Sequence, residues 1–142
     1  MKNDGSIGAA HIKDTALQHN LSVPSHLEEK LSFSTLYLDI FPVGEDLSVL
    51  LYGGDKPHIG CTVLAVPRLS LSGDGSVSCT SSVINLTGHK DEQICRYTAE
   101  TLCKNYQAAV SCTGGFHVDD ITSDQIRELM EKLDVILRKC SV

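Results

Sequence analysis

The 142-residue chain has no excess of positive charge, no long apolar run and no paired-cysteine motif. A formal net charge of −6 removes the phosphate-backbone footprint of nucleic-acid binders, which gather Lys and Arg on one face. A single anionic small molecule stays compatible with it. No stretch reaches the roughly 18 apolar residues of a membrane span, and the opening MKNDGSIGAAHIKD lacks the apolar segment of a secretory signal. The expectation is therefore a soluble cytoplasmic protein. Cys61, Cys79, Cys95, Cys103, Cys112 and Cys140 form no CxxC pair and sit in apolar periodic segments, which argues for small core residues rather than a disulfide framework. A cross-strand approach of Cys61 and Cys79 stays open, with redox chemistry as a minor reading. GxSxG, P-loop, GxGxxG and HExxH signatures are absent, so none of the chemistries they carry is supported.

What is present fits one globular domain: 42% of residues are hydrophobic and 21% charged, enough for a modest core. Residues 1–32 read as a polar N-terminal extension, partly disordered or holding a short helix. Ser25 and Glu28 stand at capping-box spacing ahead of Leu31, and His11, His19 and His26 read as solvated surface histidines. Residues 33–142 read as a single α+β domain. Leu36, Leu38 and Ile40 alternate, as do Leu47, Val49 and Leu51 after the PVGED turn, which predicts a hairpin. A third strand runs from Ile59 to Val66 and turns at Asp74–Gly75 into a serine-alternating fourth strand whose polar face looks to water or a partner. The period then changes to that of a helix, with Asp91 and Glu92 in its first turn, where the helix dipole favours them. A short strand, AAVSCTG, follows. A final helix opens on a Thr122–Gln125 capping box and carries Ile126, Leu129, Met130, Leu133, Ile136, Leu137 and Cys140 on one face. The order β-β-β-β-α-β-α predicts a mainly antiparallel five-stranded sheet with two helices on one face.

That order gives meaning to three loops. His58, in GGDKPHIG, begins strand three; His89 follows strand four; His117 follows strand five. With strands three and four as a hairpin and the intervening helix as a crossover, all three reach one sheet edge. Both helices start at that edge, where free N–H groups favour an anion such as phosphate. Lys56 and Lys90 lie in these loops, while Gly53, Gly54, Gly88, Gly114 and Gly115 permit close approach of backbone to a ligand. Three neutral imidazoles suit Zn²⁺, Fe²⁺ or Mn²⁺ with open coordination positions, and Asp119 or Asp120 can add a carboxylate. Each histidine alone has a plainer reading as a turn or loop residue; their convergence is what argues for a shared site.

GGDKPHIG, GHKDE opening one helix and GGFHVDDIT opening the next together resemble the LpdD-like prenylated-flavin chaperone family, which includes the small D subunit of gallate decarboxylase. The similarity spans residues 33 to 140. It implies a non-catalytic accessory protein that binds prenylated FMN and delivers it to a UbiD-type (de)carboxylase. The family motifs fall on Gly53, Gly54, Pro57, His58, Ile59 and Gly60, on Gly88, His89 and Lys90, and on His117, Asp119 and Ile121; together with the loop residues Lys56 and Gly115, the expected cofactor-binding residues are Gly53, Gly54, Lys56, His58, Gly88, His89, Lys90, Gly115 and His117. His58, His89 and His117 are the metal candidates. The phosphate is expected near a helix start and Lys90 or Lys56, and the rings near Tyr37 or Tyr52. Two other readings stay open: a metal-dependent enzyme on a small anionic substrate with Asp119 or Asp120 as base, and a structural decarboxylase subunit without its own ligand. A homo-oligomer is compatible with any of them.

Overall fold

The structure, a computed structural model, describes residues 23–86 and 91–141. Its elements are β1 (His26–Lys30), β2 (Thr35–Val43), β3 (Asp46–Gly54), β4 (Cys61–Leu69), β5 (Val77–Asn85), α1 (Glu92–Tyr106), β6 (Val110–His117) and α2 (Ser123–Arg138). The α+β class holds, but the sheet has six strands and is mixed, in the order β1-β2-β3-β6-β4-β5. Alternation alone cannot order strands. After β5, α1 carries the chain back over β4, and β6 enters between β3 and β4, parallel to the first and antiparallel to the second. β6 buries Val110 and Cys112 beneath the helices.

The second departure lies at the N-terminal side. Residues expected to form a short helix after Ser25 form β1, paired antiparallel with β2 in the register His26 opposite Asp39 to Lys30 opposite Thr35. Tertiary pairing overrides the local capping signal here: Ile40 N donates to Ser25 O at 3.0 Å. Glu29 meets Lys132 and Lys139, and the Ser32 hydroxyl donates to Glu128 at 2.6 Å, tying this edge to α2.

The core is the face the alternation predicts. Leu36, Leu38, Ile40, Leu47, Val49, Leu51, Cys61, Val63 and Ala65 are all buried beneath the helices. α1 packs on β4, β5 and β6, while α2 packs on β1 and β2 and against α1. The α2 capping box forms as the sequence predicts: Gln125 N donates to Thr122 Oγ1 at 3.1 Å and Thr122 N to Gln125 Oε1 at 2.9 Å. Leu129, Leu133, Ile136 and Leu137 of its apolar stripe are buried, but Ile126 and Met130 are not.

All six cysteines are free. Cys61 stands opposite Asn85 and Cys79 opposite Pro67, so these two lie six residues apart along the ladder and do not meet. Burial pushes Cys103 up to about 12 and Cys140 up to about 11, which keeps both as thiols and makes them packing residues rather than nucleophiles. No helix among the described residues is long and apolar enough to cross a membrane.

Candidate functional site

The GGDKPHIG loop is pinned to the end of β6. Asp55 N donates to His117 O at 2.8 Å and Gly60 N to Gly114 O at 2.8 Å, so the loop straddles the strand end. Gly54, at φ +79, is in the left-handed region, and a Cβ there would stand 2.1 Å from His117 O. Glycine is required at this crossing by the backbone itself. Gly53 is similar in effect, since its Cβ would lie 2.2 Å from Thr35 O. Both glycines admit neighbouring strands.

Inside this loop the His58 side chain is held at both ring nitrogens. Nδ1 donates to Lys56 O at 2.9 Å, since a carbonyl only accepts, and Nε2 stands 2.9 Å from Asp91 Oδ2. Asp91 is buried at 7% exposure and its second oxygen accepts from Phe116 N at 3.0 Å. At the start of α1 it occupies the N-cap position, yet its side chain caps nothing in the helix; it reaches across to the end of β6 instead. Two glycines make room for the pair. A Cβ on Gly60 would lie 1.8 Å from Asp91 Oδ2, and one on Gly115 would lie 2.6 Å from His58 Nε2.

His117 joins them. The His58 and His117 rings lie edge to face with centroids 6.1 Å apart, and His117 Nε2 is 2.9 Å from Asp119 Oδ1. Lys56 Nζ reaches the other Asp119 oxygen at 3.5 Å. The His117 hydrogen bond, and then the Lys56 ammonium, hold the Asp119 carboxyl below the usual carboxylate range. Both partners are well exposed, so this contact orders the loop without stabilising the fold much.

These residues border a cavity of about 580 Å³ between α1, the end of β6 and the start of α2, within the usual size of a small-molecule site. Its polar lining residues are His58, Asp91, Gln93, His117 and Asp120. Its apolar lining residues include Ile94, Phe116, Ile121, Ile126, Leu129 and Met130. Ile126 and Met130, which periodicity assigns to the core, are the stripe residues left to line it. Asp120 takes φ +53, a turn that brings the chain from β6 round to α2 at the cavity wall.

The structure therefore brings His58 and His117 to one edge, as the strand order predicts, and adds Asp91 and the apolar lining residues of the cavity, which sequence reasoning missed. Asp91 sits where acidic residues serve the helix dipole, which conceals its reach; the one signal was its place two residues after His89. Gly115 packs against the His58–Asp91 pair. Gly88, His89 and Lys90 lie outside the described residues, as do His11 and His19. Tyr37 and Tyr52, beside which the rings are expected, alternate with the buried residues of β2 and β3 and stack on each other on the face away from the helices, and neither lines the cavity. At the start of α2 the capping box takes up the N–H groups of Thr122 and Gln125, and Asp119, Asp120 and Asp124 add negative charge close by in the sequence. For the metal, no group of three or more His, Cys, Asp and Glu among the described residues is placed to hold an ion, and His58 has both ring nitrogens engaged.

No curated protein matches the chain. Among solved structures, one chain of a novel chaperone complex for yeast 20S proteasome assembly aligns over 82% of this chain and 93% of its own length, with 18% identity and a TM-score of 0.44. Residues 30–141 match the prenylated flavin chaperone LpdD-like domain, and the chain belongs to that family.

Proposed function

We propose that this protein binds prenylated FMN in the cavity beside His58 and hands it to a UbiD-type (de)carboxylase without catalysing turnover itself. The observation that carries this reading is the mixed lining of the cavity: apolar side chains suited to a prenyl-extended ring system occur together with hydrogen-bonding groups able to meet its heteroatoms. The ring system takes the interior, against Phe116, Leu129 and Met130. The phosphate extends toward the GGDKPHIG loop, where Lys56 supplies a positive charge close to Asp119 and His117. Shielding the rings protects an easily oxidised reduced flavin, and an open mouth permits release to a partner.

The test is transfer. Protein mixed anaerobically with reduced prenylated FMN and freed of excess ligand is expected to carry flavin absorbance through gel filtration. Addition to a UbiD-type apo-decarboxylase then switches on decarboxylation. A chain that elutes without flavin overturns the binding role; flavin that never reaches the decarboxylase overturns the delivery role.

A further inference from the structure

The two edges of the sheet are built differently. β1 is five residues long and carries Glu28, Glu29 and Lys30, the short, charged edge that discourages strand addition. β5 is nine residues long, VSCTSSVIN, with no charge and no proline, and its pairing with β4 runs from Val77 to Asn85 without a bulge. Among the described residues no strand covers its outer side. Among the described residues, none of the usual protections of an exposed edge is present on it.

The hydrogen bonds say which groups face outward. Leu86 N donates to Gly60 O and Ser70 N to Ser76 O, so the even-numbered residues of β5 bond to β4. In an antiparallel ladder these alternate with the rest. Val77, Cys79, Ser81, Val83 and Asn85 therefore turn N–H and C=O outward.

We propose that this edge pairs with β5 of a second copy of the chain, antiparallel about a two-fold axis at Ser81, joining the two sheets into one. The register is chosen by overlap: only this axis places all nine residues opposite a partner. It sets Val77 opposite Asn85 of the second copy, Cys79 opposite Val83, and Ser81 opposite itself, so every outward-facing residue exchanges both hydrogen bonds. On the face away from the helices, Thr80 meets Ser82 and Ser78 meets Ile84 of the second copy. β5 itself carries no charge, so the paired strands bring no like charges together, and the Arg96 and Glu100 groups that Ser81 holds near the axis are of opposite sign and paired within each copy. The interface is isologous and closes at two copies. It leaves the cavity open, since none of the residues lining it belongs to β5.

The experiment is light scattering on the full-length chain over a concentration series, with thermal melts as a check on folding. The wild type is expected to rise from 15.4 kDa toward twice that mass. Thr80→Glu with Ser82→Glu, both exposed and away from the helices, sets carboxylates opposite one another and is expected to weaken the dimer about tenfold or more. Thr80→Glu with Ser82→Lys places opposite charges across the axis and is expected to restore it. A wild type that stays monomeric at every concentration overturns the proposal, as does a dimer that the paired glutamates leave intact. Failure of the Glu/Lys variant to recover overturns the register at Ser81. A wild type that dimerises only after removal of residues 1–22 assigns the edge to that segment and overturns the proposal for the full chain.

Discussion

Two of the His–Asp pairs among the described residues, His26–Asp39 and His58–Asp91, look alike on paper and differ in their surroundings. His26 meets Asp39 across the β1–β2 ladder on the face away from the helices, with the His26 side chain 51% exposed. Its ring stacks on Tyr37, and Tyr52 donates to the second Asp39 oxygen at 2.8 Å. His58 meets Asp91 at the cavity wall, with side-chain exposures of 20% and 8%. Water reaches the first pair from the His26 side and screens it, although the Asp39 side chain is only 19% exposed. The second is fixed by a backbone donor, a backbone acceptor and two glycines that fit around it. The difference teaches that the pair itself carries little information; the enclosure does, because a buried carboxylate must keep its partners.

That contrast can be broken in graded steps. Gly60→Ala drives a Cβ to within 1.8 Å of Asp91 Oδ2 and pushes the carboxylate off both partners; a loss of about 3 kcal/mol is expected, seen as a fall of roughly 10 °C in Tm. Asp91→Ala leaves Phe116 N–H without its acceptor and His58 without its anchor. Its expected cost is about 2 kcal/mol in urea unfolding. Gly115→Ala crowds His58 Nε2 at 2.6 Å, and since the ring can swing aside, the cost falls to about 1 kcal/mol, with weakened flavin binding as the larger effect.

His26→Ala comes last and carries a pH signature. Its hydrogen bond to Asp39 raises the His26 pKa above 6.5, so protonated His26 stabilises the folded state. That contribution is full below pH 6.5 and is lost as pH rises through the raised folded-state value. Melting curves are expected to separate wild type from His26→Ala at about pH 5.5 and to superimpose at about pH 8.5.

The two pairs also mark where the sequence is informative. His58 was legible because GGDKPHIG interrupts an alternating pattern and strand order carries it to the edge shared with His117. The Thr122–Gln125 capping box and the β4–β5 hairpin, with Gly75 at φ +78, were legible because their signals are local. β1 was not: HLEEK has no alternation of its own and becomes a strand through β2 and the Glu29 contacts with α2. Nor was the insertion of β6 between β3 and β4, since the choice of neighbours is made by packing under the helices and leaves no periodic trace. Asp91 escaped because one residue type serves both a helix start and a buried hydrogen-bond centre, and only the fold shows which.

The most direct test of the account is anaerobic equilibrium titration of wild type, His58→Ala and His26→Ala with reduced prenylated FMN, each first shown to be folded by circular dichroism. The account predicts that His26→Ala binds as wild type does while His58→Ala binds at least about tenfold more weakly, a loss of about 1.4 kcal/mol. Equal binding by all three, or loss of binding in His26→Ala alone, would contradict it.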